Sequence, residues 1–203
     1  RRGNYMDKQL IIALGREVGS GGHEIAEKLA KYYNIPLIDK NIIEEIANKK
    51  NVDATDLREV EKNFMFPLVN RNVRGFSSSI QENVYLLQFE HLQEKAKAGE
   101  SFIIVGRCGE DILKEYDALV SIFVLGDIEV KRARIMERYG KNEFMAERMM
   151  REKDTERKRY HNSFCEGKWG DSRSYDISVN SSVLGIEGTA ELLIDFIDRK
   201  RNK

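Results

Sequence analysis

Apolar positions along the chain change period several times, and each change marks an element. Gln9–Leu14 is a short apolar run ending in glycines, the pattern of a strand buried on both faces. From Glu24 the period becomes helical, with Ile25, Leu29, Tyr32 and Tyr33 recurring on one side, until Asn34-Ile35-Pro36 stops the helix. Pro36–Ile38, Phe102–Val105, Val120–Val124 and Ile177–Val179 read as four further strands. Helical patterns at about 108–116, 127–138, 142–160 and 186–199 separate the later ones. This alternation predicts an α/β fold, a doubly wound parallel sheet with helices on both faces, whose ligands bind beyond the carboxyl ends of the strands. The long stretch from about 40 to 100 carries helical segments at 41–50 and 80–98 around a looser 64–79. It exceeds what a crossover needs, so it reads as an insertion that can cover a substrate.

Composition narrows the function classes. With 203 residues, 41% of them hydrophobic, the chain suits one compact domain. No run of about 18 uncharged apolar residues occurs and no apolar signal core follows Arg1-Arg2, so neither a membrane span nor secretion is expected and a cytoplasmic location is. Thirty-four basic residues balance 34 acidic ones, which argues against a nucleic-acid binder relying on bulk positive charge. Cys108 and Cys165 form no CxxC pair and no histidine stands at metal-ligand spacing, so two free thiols and no metal site are expected.

Neutrality is nevertheless a cancellation between regions. Residues 131–160 hold eleven Lys and Arg against six Asp and Glu. Arg134 and Arg138, four apart on a helix, share a face. The run is either a solvated helix face or a cover that folds over a polyphosphate; an RNA-binding patch is the rival, weakened by the lack of interleaved aromatics.

Candidate chemistry follows the strands. Gly15–Glu24 joins the first strand to the first helix, and its glycines let backbone N–H groups converge on an anion at a helix N-terminus. The pattern G-x-x-x-x-G-K-[ST] is not met, because Gly22 occupies the lysine position and no Ser or Thr follows. Arg16 could supply the missing charge or be a solvated loop residue, and His23 could donate to a phosphate or merely close the turn. Arg107, between Gly106 and Cys108 after the third strand, suits bidentate phosphate binding or a salt bridge to the insertion. Asp39 ends the second strand, where it can accept from a sugar or base or cap the next helix. Trp169 and Asp171 read as packing residues.

Gly15–Ile25, Leu37–Lys40, Ile104–Arg107, Glu129–Arg138, Asp154–Tyr160, Trp169–Asp171 and Tyr175–Ile186, in that order and spacing, resemble the cytidylate kinase-like family of P-loop nucleoside-monophosphate kinase relatives. The resemblance implies a P-loop kinase-like single domain with a five-stranded parallel core (about 6–39, 100–130 and 172–203), a monophosphate-binding insertion (about 40–99) and a lid (about 131–171). It implies ATP and Mg2+ as cofactors and a small phosphorylated acceptor as partner, CMP or dCMP first, with neither nucleic acid nor membrane. Gly19, Ser20, Gly21 and Gly22, with His23, would surround the donor's phosphates, and Arg107 with Asp39 would hold the acceptor. Arg134 and Arg138, with Arg16 standing in for the lysine, would contact the transferred group, while Asn180–Ile186, including Ser181 and Ser182, would lie beside adenine. The loop lacks its lysine and threonine, Asp39 is followed by Lys40-Asn41 rather than a serine, and Cys108 replaces the acid after Arg107. The alternative from a different class is a catalytically weak nucleotide- or anion-binding regulatory module.

Overall fold

The architecture comes from a computed structural model that describes residues 8–39, 42–50, 53–62 and 80–202. The chain runs through β1 (Ile11–Arg16), α1 (Gly22–Tyr33), β2 (Leu37–Ile38), α2 (Ile42–Lys50), α3 (Ala54–Lys62) and α4 (Ile80–Lys97). It continues through β3 (Phe102–Val105), α5 (Gly109–Ile112), β4 (Leu119–Leu125), α6 (Ile128–Tyr139), α7 (Glu143–Phe164), β5 (Ile177–Asn180) and α8 (Ser181–Arg201). The five strands form one sheet in the order β2-β3-β1-β4-β5, parallel at every pairing.

The near-continuous apolar strands are explained by burial on both faces. Ile12, Leu14, Ile103, Val105, Ile122 and Val124 pack with Ile25 and Leu29 of α1 and Leu193 and Ile197 of α8. Their alternates Ile11, Ala13, Phe102 and Ile104 pack with Ile42, Ile43 and Ile46 of α2 and Val84 and Leu92 of α4. A separate cluster of Val18, Ile135, Ala146 and Met150 joins the loop after β1 to α6 and α7. Because all strands are parallel, Arg16, Asp39, Arg107 and Asn180 stand at the same edge of the sheet.

Three expectations change. The helix expected at 108–116 is a single turn, Gly109–Ile112, because Arg107 and Cys108 are left-handed and the chain must turn at once toward β4. The last helix begins at Ser181 rather than 186: Asn180 caps it by accepting from Ser182 N–H, and left-handed Gly185 (φ 67°) kinks it where the apolar periodicity starts. Helix α3 has no counterpart in the sequence expectations. The looser stretch 64–79 lies outside the described residues.

Candidate active site

The loop after β1 is held from three sides. Gly19 and Gly21 adopt left-handed φ values of 81° and 77°. A Cβ on Gly19 would stand 2.8 Å from the Lys131 carbonyl oxygen, and one on Gly21 would stand 3.0 Å from Ile186 and 3.2 Å from Arg134 Nη2. Only glycine satisfies both the backbone and the space there. The Val18 N–H donates to Asp154 Oδ1 of α7 at 2.8 Å, and the Ser181 hydroxyl lies 2.6 Å from the Ser20 carbonyl. Glu17 accepts from the buried Lys131 ammonium at 2.6 Å and from Gly126 N–H at 3.2 Å. Burial raises the Asp154 carboxyl above the ordinary range, opposed by its bond from Val18. The loop ends at the N-terminus of α1, where the cap residue Gly21 offers no side chain and the Gly22 N–H makes a 3.4 Å bond to the Ser20 hydroxyl; the first-turn amides and helix dipole favour an anion.

Arg16 does not enter this loop. Set against G-x-x-x-x-G-K-[ST], Arg16 occupies the first glycine position and Gly22 the lysine position. The two are spatial neighbours: a Cβ on Gly22 would stand 2.6 Å from Arg16 Cβ and 3.1 Å from its Cγ. Arg16 Nη1 in turn fills the space over Gly106, 2.6 Å from where a Cβ would be. Glycines at 22 and 106 thus leave a channel for the arginine stem and head. The strand-end arginine therefore carries its charge away from the loop, toward the side of Gly106.

That side is a cavity of about 940 Å³, whose wall includes Arg16, Asp39, Tyr85, Arg107, Arg157 and Tyr160. Burial, followed by the neighbouring Arg157 guanidinium, lowers Arg16 to about 9, with Asp39 opposing and Arg107 adding to the fall; it is still protonated at neutral pH. Burial likewise lowers Arg157, whose Nη1 donates to the Arg16 carbonyl at 3.0 Å and lies 3.7 Å from Asp154 Oδ1. Arg107 belongs to a run of three left-handed residues, Gly106 (φ 80°), Arg107 (61°) and Cys108 (55°). Each non-glycine member costs roughly 1–2 kcal/mol, so this turn is held by its surroundings. The Tyr160 hydroxyl is buried without a hydrogen-bond partner among the described residues, and its ring packs on Tyr85 at 4.7 Å.

The other expected residues lie around the loop. Arg134 and Arg138 both reach one oxygen of Glu24 in α1, at 3.1 and 2.6 Å; Arg134 Nε is buried with no partner among the described residues. His23 stands at the Ser/Thr position with Nδ1 3.6 Å from Asp39 and Nε2 3.4 Å from Glu27. Ser182 accepts from Asp127 N–H at 2.8 Å, so it and Ser181 tie α8 to the loops after β1 and β4. Much of the basic excess in α6 and α7 is spent on pairs such as Arg132 with Glu147 and Arg148 with Glu152. Trp169 packs edge-on against Phe123 at 5.3 Å, and Asp171 binds Arg173.

Sequence reasoning assigned no role to Glu24, Asp154, Arg157 or Tyr160. The signal for the last three was their i,i+3 spacing on one side of α7. His161 in the last turn of α7 and Cys165, its C-cap, lie with Glu110 so that one potential ligand atom from each falls within 4.8 Å of the others.

The model of the cytidylate kinase-like family matches residues 11–183. The chain is 25% identical over 190 residues to a cytidylate kinase of Pyrobaculum islandicum, covering 93% of this chain and 92% of that one. It is 24% identical over 195 residues to the cytidylate kinase of Archaeoglobus fulgidus, covering 95% and 97%. Among solved structures it is similar to an uncharacterized protein from Eubacterium ventriosum, with 39% identity, TM-score 0.75 and coverage of 94% and 99%. Shikimate kinase from Bacteroides thetaiotaomicron, 14% identical with TM-score 0.52 over 93% and 98% of the chains, shares the fold. No helix among the described residues is long and apolar enough to cross a membrane.

Proposed function

The chain belongs to the cytidylate kinase-like family, and from that premise we propose that it transfers the γ-phosphoryl group of ATP to a nucleoside monophosphate, CMP or dCMP first. The observation carrying this reading is the convergence of Arg16, Arg107 and Arg157 on a cavity that also offers Tyr85 and Tyr160. Guanidinium groups suit the acceptor's phosphate, and the aromatic wall suits its base. Asp39 is placed to accept from the acceptor's sugar or base.

On the donor side, the backbone of Gly19–Gly22 and the uncapped start of α1 bind the polyphosphate, and Arg134 and Arg138 contact the transferring group once they leave Glu24. The orphaned Arg134 Nε fits an added anion. Magnesium, when bound, neutralises charge on the donor phosphates. His23, at the position of the hydroxyl residue, offers it no oxygen, so the donor's own phosphates and water would hold it. An acceptor phosphate oxygen forms a bond to the γ-phosphorus while the bond to the β–γ bridging oxygen breaks, leaving ADP. That oxygen is already ionised at neutral pH, so positioning and charge stabilisation suffice without a protein base.

The test is ADP release across a panel of monophosphates and other small phosphorylated acceptors, with Arg107→Ala as control. Acceptor-dependent turnover lost in that variant supports the kinase. ATP binding with no turnover on any acceptor would favour the regulatory module, the reading to which the absent loop lysine and the Glu24-tethered arginines lend weight. No ATP binding at all would remove both.

A further inference from the structure

We propose that Glu110, His161 and Cys165 bind a divalent transition-metal ion of the zinc class at the wall of the acceptor cavity. One ligand atom from each lies within 4.8 Å of the others, although Glu110 and His161 are 51 residues apart in sequence. Glu110 and His161 are 9% and 5% exposed. A carboxylate, an imidazole and a thiol together suit zinc rather than a hard cation such as magnesium.

The surroundings match what a metal site requires. A metal-binding histidine donates its second ring N–H to a fixed acceptor, which sets the tautomer. His161 Nδ1 lies 3.3 Å from Asn162 Oδ1, and that oxygen is fixed in turn by the Trp169 N–H at 2.9 Å. Nε2 is therefore the ligand nitrogen, and it faces Glu110 Oε1 at 2.5 Å. The Tyr175 hydroxyl donates to the same carboxylate oxygen at 3.2 Å. Tetrahedral coordination at zinc bond lengths needs ligand atoms about 3.3 Å apart, so the histidine and the carboxylate part by under about 1 Å to admit the ion. The protons on Nε2 and on the Cys165 sulfur leave to solvent. Glu110 and His161 both line the cavity, so the remaining coordination position opens toward it.

The ion would join two parts of the acceptor site. Glu110 follows Arg107 by three residues, and His161 follows Arg157 by four, one turn along α7. Metal binding thus fixes the strained Arg107 turn against the helix bearing Arg157. The site holds its ion whether or not the chain transfers phosphate.

The test titrates Co2+ and then Zn2+ into the 203-residue chain, reduced and stripped of metal. One equivalent of Co2+ should give tetrahedral visible bands and a thiolate-to-cobalt charge-transfer absorption, both erased by one equivalent of Zn2+, with proton release and a raised thermal midpoint. Loss of outer partners alone weakens metal sites up to about 100-fold, so Cys165→Ser and His161→Gln should weaken binding by at least that, with unchanged metal-free circular dichroism. Cys108→Ser, which removes the neighbouring thiol, should leave the cobalt spectrum intact. No charge-transfer band in the reduced wild type, or a band that survives Cys165→Ser, would overturn the proposal.

Discussion

The two sides of Arg16 are charged differently. Around the loop after β1 the cations rest on carboxylates: Lys131 has Glu17, and Arg134 and Arg138 share Glu24. Around the cavity Arg16, Arg107 and Arg157 crowd together with Asp39 and Asp154 among them, and burial outweighs those carboxylates at the Arg16 guanidinium. A site where burial outweighs the carboxylates around a cation is suited to receive an anion. A site whose arginines rest on a carboxylate must exchange partners before it works. With glycine at the lysine position of the loop, the positive charge beside it is carried by Arg16, whose head lies over Gly106.

The largest effect should come from removing the cations that line the cavity. Arg107→Ala and Arg16→Ala should each lower acceptor-dependent turnover about 10²–10³-fold, the usual result of deleting one charge-stabilising donor. Arg16→Met sharpens the point, because the folded chain disfavours this charge at neutral pH. Its folded value of about 9 lies below the ordinary arginine value, so the cost is complete below pH 9 and fades only as pH rises above it toward that ordinary value. The ligand-free thermal midpoint should hold or rise, while the stabilisation conferred by a monophosphate disappears. A lower midpoint with an intact ligand response would break the comparison.

The exchange between positions 16 and 22 is open to a double-mutant cycle. Gly22→Lys alone drives a Cβ into the Arg16 stem and should cost about 1–3 kcal/mol by overpacking. With Arg16→Gly in the same chain the clash is gone, and the pair should be more stable than the sum of the single changes by about 1 kcal/mol or more. Additive denaturation midpoints would mean that the two positions are independent.

A smaller change is expected on the neutralised side. Glu24→Gln frees Arg134 and Arg138 from a partly exposed pairing worth at most about 1 kcal/mol, so the KM for ATP should fall by no more than about fivefold. A raised KM would show that Glu24 positions the arginines rather than restrains them.

What could be read from the sequence follows the range of the interactions. Strands β1, β3 and β4 are apolar runs buried on two faces, and the glycines at 19 and 21 announce a turn, so sheet and loop were visible in short windows. The direction of Arg16 was not, since it depends on glycines at 22 and 106 that clear its path from two different elements. Nor was the tether of Arg134 to Glu24, which spans 110 residues. His161 and Cys165 lay in plain view four residues apart, but a search for paired cysteines passes over a mixed histidine–cysteine pair at a helix end. Their third partner, Glu110, comes from a turn that the helical expectation at 108–116 had straightened.

The smallest effect tests the far end of the sheet, away from both sides of Arg16. Asp176, just before β5, accepts from Ser121 N–H at 2.8 Å and pairs with Lys200 of α8 at 2.5 Å. Burial raises its carboxyl, but Lys200 and the Ser121 amide outweigh it and hold the group below the ordinary value of 3.8. A depressed folded value means stability that is present above the unfolded carboxylate range and lost as pH falls through the folded one. Asp176→Asn keeps an acceptor for Ser121 and removes only the charge, so it should cost less than about 1 kcal/mol at neutral pH. That difference should vanish near pH 2. Equal stability losses at both pH values would assign the effect to packing at β5, and any change in turnover would show that the charge comparison across β1 extends to the edge of the sheet.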